Sequence, residues 1–276
     1  DNAVIYGYAN SAAEEFAKNN DIKFVAVNSH DEYLSLLTYS DTDNSSYKSA
    51  IDELSQLGII NGFEDGTFKP QDNVTRAQAA TMFATALGYS DTKYQNIATD
   101  KAVFSDFLMS HWAYKYADYV MKSADISSGE TNCILSGFED GTFRPDNNVT
   151  IIQLLKMAIC SLGEDGYMAE AVENGGYPNG YNTVAGKYGF SKSIAVDDIN
   201  QPATREQTAQ IISNTINMPI KRFGAINSIT ADHKTESEKF LVTYDGSKEY
   251  YPLTTLKTML QTNDWGNQTA FATKSP

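Results

Sequence analysis

Only two cysteines occur in the 276 residues, Cys133 and Cys160, which excludes a disulfide-framed scaffold and a cysteine-rich zinc site. Histidine is almost as scarce. His30, His111 and His233 stand far apart, so common metal-hydrolase and catalytic-triad motifs have little to build on. No apolar run approaches the ~20 residues a membrane helix needs, and no basic-then-apolar leader opens the chain. Positive charge is short: 21 Lys and Arg against 35 Asp and Glu leave a formal net charge of −14. That opposes non-specific attraction to nucleic acid and to anionic membranes. What is plentiful is tyrosine and phenylalanine, in a background rich in Asn, Ser and Thr, as in many extracellular proteins. The length suits about two domains and a core that needs no staples.

The chain repeats itself. Residues 62–78, from Gly62-Phe-Glu-Asp-Gly-Thr-Phe to Thr75-Arg-Ala-Gln78, return without a gap at 137–153, with 12 of 17 positions identical. A third, fainter copy, Asn200-Gln-Pro-Ala-Thr-Arg-Glu-Gln207, keeps only the ending. Each unit reads as helix, loop, helix. Tyr47, Ala50, Ile51, Leu54 and Leu57 lie at helical spacing before the first motif, with Gly58 as the stop. Trp112, Tyr116, Tyr119 and Val120 do the same before the second. After the motifs, Ala80, Phe83 and Leu87 match Leu155, Ala158 and Leu162, and Ala209, Ile212 and Ile216. No pair of helices buries its stripe alone, so the three pairs are expected to pack in one bundle.

Much of the motif is folding chemistry. Asp65-Gly66 and Asp140-Gly141 are tight-turn dipeptides, expected to bring Phe63 onto Phe68 and Phe138 onto Phe143. Thr75 with Gln78, Thr150 with Gln153, and Thr204 with Gln207 are capping boxes. Arg76 and Arg205 fit this account badly. They follow the cap, where the helix start is already electropositive. Two readings stand side by side: an ion pair with a carboxylate of this acidic chain, or an anionic ligand held by the guanidinium and the helix N–H groups. Unit two has Ile151 there instead.

These residues resemble the S-layer homology family. Tyr39-Ser-Asp-Thr42 and Phe104-Ser-Asp-Phe107 resemble its Phe-x-Asp-Val opening, and His111-Trp-Ala113 its His-Trp-Ala. Residues 62–70 and 137–145 resemble its Gly-Tyr-x-Asp-Gly-Thr-Phe-x-Pro, and Val74-Thr-Arg-Ala-Gln78 its Ile-Thr-Arg-Ala-Glu. The resemblance covers about 180 residues. It implies three repeats in a three-pronged bundle that anchors bacterial surface proteins to secondary cell-wall polysaccharide, often through a pyruvate ketal. Its ligand lies in grooves between repeats. The candidate ligand-binding residues it implies are Asp41, Gly62 and Arg76, then Asp106, Trp112 and Gly137, then Arg205. Departures are visible. Unit one has Ser-Ser-Tyr for His-Trp-Ala, unit two lacks the arginine and carries an insert near 127–133, and unit three lacks the opening and the Asp-Gly turn. Trp112 reads equally as a core anchor, and Asp41 and Asp106 as helix-entry caps. Each groove needs an arginine from one unit and an opening from a neighbour. Arg76, behind a complete loop, is expected to make the principal site, completed by Asp106 and Trp112 of unit two, and Arg205, behind a broken one, a weaker site.

The flanks differ. Residues 3–27 resemble the last unit of a bacterial surface leucine-rich-repeat family, with Ser11 and Glu14 as a capping box and a strand over 22–27. One such unit is not a stable array, so a longer array is expected to precede Asp1. Beyond Pro219, residues 225–230, 240–244 and 248–252 read as strands, with Asp245-Gly246 as a hairpin turn and a helix over 253–261. Asp41-Thr-Asp43-Asn44 lacks the glycine and final glutamate of a calcium loop and reads as a polar helix entry. The pairing of Cys133 with Cys160 stays open.

The sequence therefore implies a mainly α protein: a leucine-rich-repeat end unit (1–38), repeats over 39–99, 100–165 and a degenerate 166–218, and a small β-rich module (219–276). The three repeats are expected to form a pseudo-threefold bundle. The expected role is cell-wall anchoring through an acidic sugar of the secondary polysaccharide, without catalysis, cofactor, metal, nucleic acid or membrane insertion, and with other surface proteins as further partners. The alternative is a scaffold that links flanking surface domains and binds no carbohydrate.

Overall fold

The computed structural model describes residues 4–28, 38–95, 102–123, 134–162, 167–195, 198–218, 226–232, 239–244, 247–252 and 257. Its N-terminal piece is β1 (Val4–Gly7), α1 (Ala12–Asn19) and β2 (Lys23–Ala26), with the two strands parallel and in register Val4 to Lys23. The Ser11 hydroxyl accepts from the Glu14 N–H as expected, but the Glu14 carboxylate takes the N–H of Asn10, one residue before the cap.

Six further helices cover the stretches expected to carry the repeats: α2 (Lys48–Gln56), α3 (Arg76–Ala86), α4 (Asp91–Gln95), α5 (Tyr114–Ser123), α6 (Ile151–Cys160) and, last, α9 (Arg205–Ile216). Between α6 and α9 lie α7 (Ala169–Glu173) and α8 (Asn179–Tyr188), so the third unit has two helices where one was expected. The expected stripe positions Ala80, Phe83, Leu87, Leu155, Ala158, Leu162, Ala209, Ile212 and Ile216 are all buried, and they share one continuous core. Helix α2 stops as the sequence says. Gly58 takes a φ of 66°, and the N–H of Ile59 returns to the Leu54 carbonyl.

The packing closes on itself. Each second helix lies on the first helix of another unit: α3 on α5, α6 on α8, and α9 on α2. The loops before the second helices meet at the centre. There the Val74 N–H donates to the Ala203 carbonyl, the Ala203 N–H to Val149, and the Val149 N–H back to Val74, at 2.9–3.0 Å. This ring explains why Val74, Val149 and Ala203 are fully buried although they precede helices. Their backbone groups have partners, so the hydrogen bonds compensate the desolvation of burial.

At the C-terminal end β3 (Ile226–Asp232), β4 (Lys239–Tyr244) and β5 (Ser247–Pro252) form an antiparallel meander. The expected turn at 245–246 lies outside the described residues, as does the expected helix over 253–261 apart from Lys257. Cys133 lies outside them too, while Cys160 is buried with its thiol 3.8 Å from the Tyr181 hydroxyl.

Candidate functional site

The capping boxes form at all three helix starts, with Thr75, Thr150 and Thr204 each accepting from the backbone of a glutamine that bonds back. The next two N–H groups of each helix go to a neighbouring unit. Arg76 and Ala77 donate to the carbonyls of Asn147 and Pro145, Ile151 and Ile152 to Gln201 and Ile199, and Arg205 and Glu206 to Asp72 and Pro70. The helix starts therefore offer no free N–H groups to an anion. That part of the sequence argument is corrected, because the neighbour's loop does the capping.

The arginine side chains follow the same route. Arg76 donates from Nε to the Phe143 carbonyl at 2.7 Å and from Nη2 to the Ser136 carbonyl at 2.8 Å. Arg205 repeats this on the first loop, to Phe68 at 2.7 Å and Asn61 at 3.0 Å. Each guanidinium lies over two phenylalanine rings: Arg76 over Phe138 and Phe143 at 4.9 and 4.6 Å, Arg205 over Phe63 and Phe68 at 4.9 and 4.5 Å. The expected plug of paired phenylalanines is thus corrected. An arginine from the neighbouring unit lies against both rings of each loop, which stabilises it by cation–π attraction.

Both arginines are at least nine-tenths buried, and neither forms an ion pair with a carboxylate among the described residues. The ion-pair reading of these residues therefore fails. Burial pushes the Arg76 guanidinium down to about 10, with Tyr177 and Asp106 opposing the fall and Arg144 adding to it. It remains a cation at neutral pH. Burial lowers Arg205 as well. A guanidinium has five N–H donors. Two are spent on carbonyls, and Nη1 donates to nothing among the described residues.

The loops themselves are held by the opening aspartates. Asp41 accepts the N–H groups of Phe68 and Lys69, both at 2.8 Å, and Asp106 those of Phe143 and Arg144, at 2.7 and 2.8 Å. They tie loops 27 to 38 residues away instead of capping helix entries. Lys69 and Arg144 pay backbone strain here, with φ of 56°. Their side chains lie over Phe63 at 4.0 Å and Phe138 at 3.8 Å. Gly62 and Gly137 admit no Cβ, which would stand 2.2 Å from the Tyr39 ring and 2.3 Å from the Phe104 ring. Those rings come from the same openings as Asp41 and Asp106. Trp112 is 57% exposed, so the core-anchor reading is corrected too. Ala113, Tyr114 and Ala117 fill that core, and Trp112 sits beside His111 with ring centroids 5.6 Å apart.

The structure thus brings Arg76 together with Asp106 and Gly137, and Arg205 with Asp41 and Gly62. The ranking expected for the grooves changes with this pairing. Arg205 does not work against the broken loop of its own unit. It works against the complete loop of the first unit. The broken loop faces Ile151, which is fully buried and carries no charge. Lys69, Arg144, Lys156 and Tyr177 were not singled out from sequence. The first two stand at a variable place in the motif, and the half-exposed Tyr177 comes from the extra helix pair of unit three.

Residues 38–80 and 103–150 match the S-layer homology domain. Cell surface glycoprotein 1 of Acetivibrio thermocellus is 40% identical over 91 residues, 33% of this chain and 3% of that protein. The cellulosome-anchoring protein of the same organism is 36% identical over 92 residues, 33% of this chain and 18% of its own length. The middle cell wall protein of Brevibacillus brevis is 25% identical over 170 residues, covering 62% and 14%. The chain therefore spans less than a fifth of the length of each of these relatives.

Proposed function

We propose that this chain attaches a bacterial surface protein non-covalently to the cell wall, by binding an acidic, pyruvylated unit of the secondary polysaccharide, and that it catalyses nothing. The reading places it outside the cell, with residues 39–218 acting as three S-layer homology repeats in a pseudo-threefold bundle and the third repeat degenerate. It also takes the parallel strand–helix–strand piece at the N-terminus as the end of a leucine-rich-repeat array, and other surface proteins as further partners. The relatives named for the cell surface, the cell wall and anchoring support the attachment.

The observation that carries the acidic ligand is the pair of buried arginines without carboxylate partners among the described residues. A buried cation is costly unless an opposite charge and hydrogen bonds compensate it. Here neutral carbonyls fix one edge of each guanidinium, and the remaining donors suit a carboxylate. A second reading has its own support. The same carbonyl contacts join unit to unit, as a scaffold without ligand would require.

Cosedimentation with purified cell walls separates the two. The chain is expected to pellet with intact walls and to stay in solution once their secondary polysaccharide is removed. A pyruvylated sugar should compete for this binding, and its neutral methyl ester should not. Equal pelleting before and after removal would leave the scaffold reading standing.

A further inference from the structure

We infer that the Arg76 groove is built for a glycan unit carrying two anionic groups, one on Arg76 and one between Lys156 and Arg144, while the Arg205 groove takes a single one. This rests on the wall-polysaccharide reading and adds a difference between sites that the repeat symmetry hides.

The positions around the two arginines correspond one to one. Arg76 Nη2 and Lys156 Nζ both end on Ser136, at its carbonyl (2.8 Å) and its hydroxyl (2.7 Å). Arg144 shares the Phe138 ring with Arg76 and pairs with Asp140 at 2.9 Å. Three cations thus border the Ser136–Phe138 segment, of which Ser136 and Gly137 are exposed. In the other groove Lys156 is replaced by Thr81, whose hydroxyl bonds to the Ala77 carbonyl. Asn147, whose carbonyl receives the Arg76 N–H, is replaced there by Asp72, which receives Arg205. Ala77 is replaced by Glu206, which is held by Ser45 and Gln71 at 2.6 Å each. One exchange runs the other way, Asp146 for Gln71. The Arg76 groove is left two unit charges more positive, in a chain of net charge −14. Lys156 makes no ion pair with a carboxylate among the described residues. A second anion beside Arg76 would therefore meet a cation instead of Asp72 and Glu206.

Calorimetric titration of the full chain tests this with three probes: a methyl hexoside bearing one pyruvate ketal, the same ketal hexoside bearing a phosphate ester as well, and the methyl ester of the first. The doubly acidic probe should fill one class of site about tenfold more tightly than the singly acidic probe. Lys156→Gln keeps a partner for Ser136. It should weaken the doubly acidic probe about three- to tenfold and the singly acidic one less than twofold. Asn147→Asp, an exposed change that keeps the backbone clasp, should shift the probes in the same order. Equal loss for both acidic probes, or no preference for the doubly acidic one, overturns the two-anion assignment while leaving the wall reading intact. If no probe binds, or the ester binds as well as the acids, the wall reading itself fails and this assignment goes with it.

Discussion

Two of the three unit interfaces are polar clasps and the third is an apolar contact. Where Arg76 and Arg205 start a helix, the facing loop has the full Gly-Phe-Glu-Asp-Gly-Thr-Phe sequence, a glycine pressed against an aromatic ring, and an aspartate tying the turn. Where Ile151 starts a helix, the facing loop has lost all of these. Yet the three helix starts keep the same backbone pattern, with two N–H groups each donated to the neighbour. Arginine and loop are one device divided between two units. The missing arginine, at Ile151, and the missing loop, before Thr204, belong to one and the same interface. The backbone ring survives because it needs carbonyls, which every sequence supplies.

The largest test of this pairing is Ile151→Arg. The new guanidinium would be buried with no aromatic pair and no loop to clasp, and should cost about 3–5 kcal/mol in chemical denaturation. A variant as stable as the parent would mean that the third interface accepts an arginine without the loop, and the pairing of arginine with loop would be wrong.

Next come Arg76→Ala and Arg205→Ala. Each removes two charge-assisted hydrogen bonds and two ring contacts, and each should cost about 2–4 kcal/mol. The helix-start repulsion of an arginine suggests instead that its removal is neutral or slightly stabilising. Melting curves decide, and similar losses for the two variants would show that the two clasps are equally built. A loss confined to Arg76→Ala would restore the unequal ranking.

The smallest effect concerns acid. Hydrogen bonds from Thr142, then Arg144, lower the Asp140 carboxyl to about 2 from an ordinary 3.8. A carboxyl lowered by folding stabilises the fold above its unfolded pKa, and that contribution is lost as pH falls through the folded value. Asp65 is lowered too, chiefly by Thr67, and it lacks the close arginine contact. Between about pH 4 and 2, Asp140→Asn should therefore flatten the fall of melting temperature more than Asp65→Asn does. Identical acid profiles for the two variants would remove Arg144 from the explanation.

Much of the clasp was written in the repeated motif. The capping threonines, the Asp-Gly turns, the helical stripes and the odd placement of Arg76 and Arg205 are local patterns with local causes, so spacing exposes them. Ser11 shows how far that reaches. Its hydroxyl cap forms as the spacing says, yet Glu14 bonds to Asn10, a choice fixed by side-chain reach. Trp112 was misread as a candidate for the core because helical spacing does not say where the helix starts. Its helix begins at Tyr114, and the indole falls outside the apolar face.

The sequence by itself determined the three helix starts, the two complete loops, the apolar stripes and the overall shortage of positive charge. These depend on neighbours a few residues apart, whose geometry the chain imposes directly. Only the tertiary structure decided that Arg205 meets the loop of the first unit, that a guanidinium lies against both rings of each pair of phenylalanines, and that Lys156 converges with Arg76 on Ser136. Those contacts join residues 20 to 144 positions apart. Their partners are chosen by the order in which the helix pairs close around the common core, and no local pattern records that order.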